Sequence, residues 1–354
     1  VTQSILLLPG DGIGPEVTAV ARSCMEAAAA AEGFTVEFDE AAFGGAAIDA
    51  AGTPLPDATL EKAKAADAIF LGAVGGPKWD DAPERPEKGL LGIRKALGLF
   101  ANLRPVKVFD GLEDFSPLKL DRVKGADVLI VRELTGGLYF GEKREGEDEA
   151  FDGCAYSAAE VERIARIAFE AAQGRSKRLT SVDKANVLAT SRLWRRTVER
   201  VSADYPDVAV DHLYVDAAAM ALVTHPARFD VILTENLFGD ILSDESAVIA
   251  GSIGLLGSAS LGASGPGLFE PIHGSAPDIA GRGIANPGGA VASAAMLMRH
   301  GLNQPGAADR IEAALARALK AGARTADLGG SDGTRAFAKA VLTELTADAR
   351  RGAA

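Results

Sequence analysis

A chain of 354 residues has room for about two domains' worth of core, and 47% hydrophobic with 24% charged content is the balance of a globular protein. A formal net charge of −12 excludes a global basic field for nucleic acid, so any anionic small substrate needs a local basic cluster. Two cysteines without metal-type spacing, Cys24 and Cys154, no leader-like start and no charge-poor bilayer-length stretch point to a cytoplasmic enzyme, without membrane or nucleic-acid partners.

The apolar run "SILLLP" reads as a buried strand, followed by a helix over "PEVTAVARSCMEAAAAAEG" with Pro15 in its first turn and Gly33 as its stop. "DAIFLGAVGG" is a second strand ending in glycines. "ANLRPVKVF", "DVLIVRE", "RLTSVDK", "VAVDHLYVD" and "FDVILT" follow as strands, with helices over "AAEVERIARIAFEAAQ" and "SRLWRRTVERVSADY". The charged stretch "EKREGEDEA" reads as a solvated loop, and the chain beyond about Asn286 as mostly helical. The alternation predicts an α/β chain with a mostly parallel central sheet.

In open α/β sheets ligands collect outside the carboxyl ends of the strands. Lys184 follows "TSVD", Asp216 follows "HLYV", Arg132 follows "DVLIV", and Asp240 and Asp244 follow "FDVILT". Asp240 and Asp244, four apart on a helix, share one face. They are either acids near a helix start, complementing its dipole, or oxygen ligands for Mg²⁺ or Mn²⁺. Arg94, Arg104 and Arg132 suit a di- or tricarboxylate, since guanidinium pairs bidentately with carboxylate; each alone also reads as a surface arginine. Tyr139 and Lys184 are candidate proton carriers, or simply a strand aromatic and a surface lysine. "LLLPGDGIGPE" fails the G-x-G-x-x-G spacing because Pro15 fills the third slot, so no Rossmann fold is inferred. "FEPIHGSAPDIAGRGIANP" is a second glycine-rich segment, with Asp278 able to accept from ribose hydroxyls.

Together "LPGDGIGPEV", "FGGAAIDA", "GAVGGPKW", "LFANLRP", "SVDKANVL", "YVDA", "FGDILSD", "GSASLG", "FEPIHGSAPDIAG" and "GIANP" resemble the β-decarboxylating dehydrogenases, the isocitrate/isopropylmalate dehydrogenase family, in the family's order along nearly the whole chain. The resemblance implies a two-domain fold of its own, not a Rossmann fold. One domain would comprise residues 1–99 and 252–354 on the cofactor side, the other residues 100–251, carrying dimerisation, metal and substrate residues. It also implies a homodimer with shared active sites. Arg94, Arg104 and Arg132 would hold substrate carboxylates. Asp240, Asp244 and the partner's Asp216 would bind one Mg²⁺ or Mn²⁺ per site, and Tyr139 with the partner's Lys184 would move protons.

The same resemblance implies NAD as hydride acceptor, held by His273, Gly274, Ser275, Ala276, Asp278, Ile279 and Asn286, and a monovalent cation as a further family trait. "PEKGLLGIR", with Glu87, Leu90 and Leu91, matches the isopropylmalate-type pocket: Leu90 and Leu91, with the partner's Val187, would face an isopropyl group, while a third carboxylate would be desolvated against leucine and repelled by Glu87. The expected reaction is oxidative decarboxylation of 3-isopropylmalate to 4-methyl-2-oxopentanoate in leucine biosynthesis. Relatives acting on tartrate, malate or homoisocitrate, or a non-catalytic homologue, are the alternatives. Glu235 and Gly257 depart from the family pattern, and neither is expected to touch the motif residues.

Overall fold

The computed structural model describes residues 2–249 and 251–351. In chain order the first stretch runs β1 (Thr2–Gly10), α1 (Gly14–Glu32), β2 (Thr35–Glu40), α2 (Gly45–Ala51), α3 (Asp57–Ala65), β3 (Ala68–Ala73) and α4 (Pro86–Ala96). The middle adds β4 (Ala101–Lys107), α5 (Leu120–Val123), β5 (Asp127–Glu133), β6 (Lys143–Glu145), β7 (Ala150–Asp152), α6 (Ala158–Gln173), β8 (Arg178–Asp183), α7 (Ala189–Ser202), β9 (Ala209–Tyr214), α8 (Val215–Thr224), β10 (Val231–Thr234) and α9 (Asn236–Ile249). The last part holds β11 (Gly257–Leu261), β12 (Gly267–Pro271), α10 (Gly288–Met296), α11 (Pro305–Lys320) and α12 (Thr334–Arg351).

The chain divides into two compact units: Val1–Leu99 with Phe109–Leu112 and Ser252–Ala354, and Phe100–Val108 with Glu113–Gly251. The short piece Phe109–Leu112 sides with the chain ends, where the Gly111 carbonyl accepts from Arg324 at 3.1 Å. In the first unit the strands run β2-β1-β3-β12-β11, with β11 antiparallel to β12 and the others parallel. In the second they run β4-β5-β10-β8-β9, with only β4 antiparallel to its neighbour. The mostly parallel sheet expected from the sequence is thus present.

The reasons are local. Every residue of β3 is buried, which is why it reads as an unbroken apolar run. α1 begins with Pro15 in its first turn and ends at Gly33, whose φ of 76° is the left-handed turn a glycine takes without penalty. α6 starts with a capping box, Ser157 and Glu160 each accepting the other's backbone N–H. Ile69, Leu71, Phe43 and Leu268 pack the core of the first unit; Ile130, Ile232, Leu222, Phe229 and Leu242 pack that of the second. Each fully buried aliphatic side chain contributes about 1.5–3 kcal/mol.

"EKREGEDEA" is solvated as expected but is not all loop. Lys143–Glu145 and Ala150–Asp152 pair as an antiparallel hairpin, closed by the Gly146 N–H donating to the Glu149 carbonyl at 3.0 Å. All six strand residues are exposed, so the buried/exposed alternation that marks a strand never forms in the sequence. β2, half-exposed, and the short β11 and β12 were also beyond the apolar-run criterion.

Candidate active site

β10 ends at Thr234 and α9 starts at Asn236. Glu235, at the junction, accepts the Phe238 N–H at 3.1 Å and so caps the helix. The helix-dipole reading therefore fits Glu235. It does not fit Asp240 and Asp244, which lie beyond the first turn of α9. Contrary to the sequence expectation, Glu235 does touch the "FGD" motif, and burial raises its carboxyl above the ordinary range.

Asn236, Gly239, Asp240, Ser243 and Asp244 repeat at the spacing of one helix face. Two arginines lie along this stripe. Arg132, from β5, is 4% exposed; its Nη1 donates to Asp240, and its Nε and Nη2 donate to Asn236 Oδ1 at 3.1 and 2.8 Å. Arg104, from β4, reaches Ser243 Oγ at 2.5 Å, Asp244 Oδ1 at 3.1 Å and Asp240 Oδ1 at 3.7 Å. Gly239 makes room for the first of these: a Cβ there would stand 2.6 Å from Arg132 Cγ.

The 3₁₀ turn Gly137–Tyr139 brings Tyr139 to the same point, where its hydroxyl donates to Asp240 Oδ2 at 2.8 Å. Burial, then this bond to a carboxylate, raises the phenol's pKa, so it keeps its proton. Burial pushes the Asp240 carboxyl up as well. The charges of Arg132 and Arg104 and the Tyr139 hydroxyl outweigh that and hold it below the usual range.

Lys184 and Asp216 form a separate pair in the same unit. Lys184 leaves β8 in a turn fixed by its N–H donating to Ser191 Oγ at 3.0 Å, and Nζ meets Asp216 Oδ1 at 2.7 Å. That bond holds Asp216 below the ordinary carboxylate range. Asp216 opens α8, and Val187 beside Lys184 is 62% exposed. Among the described residues of one chain, no three His, Cys, Asp or Glu side chains gather as metal ligands.

In the first unit, Glu87, Leu90, Leu91 and Arg94 share one face of α4. Leu91 and Glu87 are exposed, and Leu90 leans on the core. Arg94 donates to Glu270 at 2.7 Å, a largely buried pair absent from the sequence reading. In the glycine-rich segment the Ser275 carbonyl accepts the Ile13 N–H at 2.8 Å, which ties this segment to the "GDGIG" loop. Ala276 takes a left-handed φ of 39° and starts a turn closed by the Ile279 N–H at 3.1 Å. His273 Nδ1 bonds to the Gly274 carbonyl at 2.9 Å; burial holds its imidazole neutral, and Nε2 is buried with no partner among the described residues. Asp278 is exposed, while Asn286 is buried and donates to Asp327 at 2.9 Å.

The sequence reading missed Asn236, Ser243, Asn102 and Glu270. The first two were findable from their i, i+4, i+7 and i+8 spacing with Asp240 and Asp244; the other two had no local signal.

Fold and site together describe a class: an α/β chain with a mostly parallel sheet, in which guanidinium groups, carboxylates, a phenol and an amine gather near strand ends, where such sheets bind ligands. The isocitrate/isopropylmalate dehydrogenase family model matches residues 4–343. A 3-isopropylmalate dehydrogenase of Streptococcus thermophilus is 55% identical over 97% of this chain and 100% of its own. One from Nitratidesulfovibrio vulgaris is 58% identical, covering 92% and 93%. An isocitrate dehydrogenase structure from Methylococcus capsulatus superposes with a TM-score of 0.86 at 37% identity, covering 97% and 99%. The chain belongs to the isocitrate/isopropylmalate dehydrogenase family.

Proposed function

We infer that the chain oxidises and decarboxylates 3-isopropylmalate to 4-methyl-2-oxopentanoate and CO₂, with NAD⁺ as hydride acceptor, as a step of leucine biosynthesis. The observation that carries this is similarity above half identity, over nearly full length, to relatives named for that substrate. Leu90 and Leu91 on the Arg94 face of α4 support the choice of an apolar substituent over a third carboxylate.

Arg94, Arg104 and Arg132 are read as the carboxylate-binding groups. Asp240 and Asp244 are hard oxygen donors on one helix face, which fits Mg²⁺ or Mn²⁺. The orphaned His273 Nε2 and the exposed Asp278 fit a nucleotide with hydrogen-bonding groups and a free ribose 2′-hydroxyl. When bound, the metal would supply positive charge at the reacting oxygen, and the nicotinamide would accept hydride.

The chain's own residues handle the protons. The C2 hydroxyl proton passes to the partner's Lys184 as its neutral amine, held by Asp216, while the C2 hydrogen leaves as hydride. The C3–carboxylate bond of the resulting 3-carboxy ketone then breaks, its electron pair forms an enolate, and CO₂ departs. Tyr139, kept protonated by burial and Asp240, donates its proton to C3.

Dimerisation completes this reading. α8 and α9 pack together, and Met220, Ile241 and Val248 on them are 64%, 57% and 59% exposed. Such an apolar face suits a second copy, which would bring its own Asp216 and Lys184. Steady-state kcat/KM across isopropylmalate, isocitrate, malate, tartrate and homoisocitrate tests the substrate. A clear preference for a diacid without the isopropyl group overturns the reading.

A further inference from the structure

Three neutral polar side chains around the α9 stripe have no role in the reaction as described: Asn236, Asn102 and Ser243. All are fully buried. Asn236 uses its whole amide. Oδ1 accepts from Arg132 Nε and Nη2, and Nδ2 donates to the carbonyls of Leu134 at 3.0 Å and Gly136 at 3.2 Å. Its backbone N–H donates to Tyr156 Oη at 3.0 Å. Arg132 is thus gripped along its Nε–Nη2 edge by a fixed acceptor, while Nη1 points at Asp240.

Arg104 is held the same way. Nε donates to Asn102 Oδ1 at 2.9 Å and Nη1 to Ser243 Oγ. Asn102 and Arg132 are register partners across β4 and β5, so both arginines stand on one strand pair, while Asn236 and Ser243 reach them from α9.

The chemical type of the holder matters. A carboxylate would orient a guanidinium as well, but would cancel its charge and weaken its pull on an incoming diacid. An amide or hydroxyl oxygen orients without cancelling. Asp240 and Asp244 also touch these arginines, but on the metal reading they are claimed by the cation and cannot be the lasting holders.

We propose that Asn236, with Asn102 and Ser243, is a positioning residue: a neutral acceptor set that holds the Arg132 and Arg104 guanidinium groups in the orientation that receives the substrate's carboxylates. The proposal rests on the substrate role of those two arginines.

The test is calorimetric titration of 3-isopropylmalate into the full-length enzyme with Mg²⁺ and no nucleotide, beside a separate titration with NAD⁺. Asn236→Ala and Asn102→Ala each raise the diacid Kd on the order of tenfold or more, the cost of a lost hydrogen bond to a charged group. NAD⁺ affinity stays unchanged, and in turnover KM for the diacid rises while kcat holds. Asn236→Asp weakens the diacid as well. Unchanged diacid affinity in a folded variant overturns the proposal. Parallel loss of diacid and NAD⁺ affinity also overturns it, because it marks general damage. If Asn236→Ala does not fold, Asn102→Ala decides through Arg104. If the wild type itself binds no isopropylmalate, the functional reading fails, and the proposal with it.

Discussion

Gly239→Ala tests how closely Arg132 lies against α9. The added Cβ would stand 2.6, 2.8 and 3.1 Å from Arg132 Cγ, Cβ and Cδ. Ordinary carbon contacts need about 3.5–4.0 Å, so the stem must retreat by roughly 1 Å. It cannot swing away cheaply, since Arg132 pairs with Asn102 on β4 and Thr234 on β10, which fixes its Cβ in the sheet. Overpacking of this kind costs about 1–3 kcal/mol, and the better helix propensity of alanine returns about 1, leaving a net loss of about 0–2 kcal/mol. The effect on binding is larger than that on stability, because the moved guanidinium leaves Asn236 Oδ1: KM for isopropylmalate rises by about tenfold or more, with KM for NAD⁺ unchanged. Steady-state kinetics and a melting curve read both. A higher Tm with an unchanged diacid KM would refute the reasoning, because it would show an ordinary helix position.

Glu235→Gln is expected to stabilise. The folded carboxyl has a raised pKa, so the folded state binds more protons than the unfolded one between the unfolded value, about 4.3, and the folded one. The penalty is absent below about pH 4.3, grows up to the folded pKa and is complete above it; Tm should therefore increase near neutral pH and not near about pH 4, and a pH-independent difference contradicts this. Asp278→Lys with Ile279→Tyr weakens the preference for NAD⁺ over NADP⁺, and an unchanged ratio of kcat/KM values counts against the ribose role. Tyr139→Phe keeps a pre-steady-state burst of NADH but slows the steady rate, whereas equal loss in both phases leaves Tyr139 only a supporting part. Lys184→Ala and Asp240→Asn are each inactive alone, but mixing and reassociating them restores about a quarter of wild-type activity, since half the dimers then hold one intact shared site. No recovery, despite proven exchange of subunits, contradicts the sharing.

Much of the frame was legible because burial writes itself into apolar runs. β1 and β3 are continuous hydrophobic stretches, and Pro15 and Gly33 punctuate α1. The exposed hairpin of β6 and β7 was not, because its six residues bury nothing and leave no alternation to read. At the site, charged residues at strand ends announced themselves. Their holders did not: Glu270 meets Arg94 across 176 positions of sequence, and Asn102 acts only through the arginine beside it. Asp240 and Asp244 were ambiguous until the start of α9 was fixed. The helix begins at Asn236, so its N-terminal acid is Glu235, and the two aspartates are left on the arginine stripe.

The most direct measurement is NADH formation with stoichiometric CO₂ release from 3-isopropylmalate, NAD⁺ and Mg²⁺ or Mn²⁺, with and without EDTA. Metal-dependent production of both, abolished by EDTA and restored by added cation, is the predicted result. No turnover of isopropylmalate by the folded enzyme with metal present, or full activity in EDTA, would contradict the account.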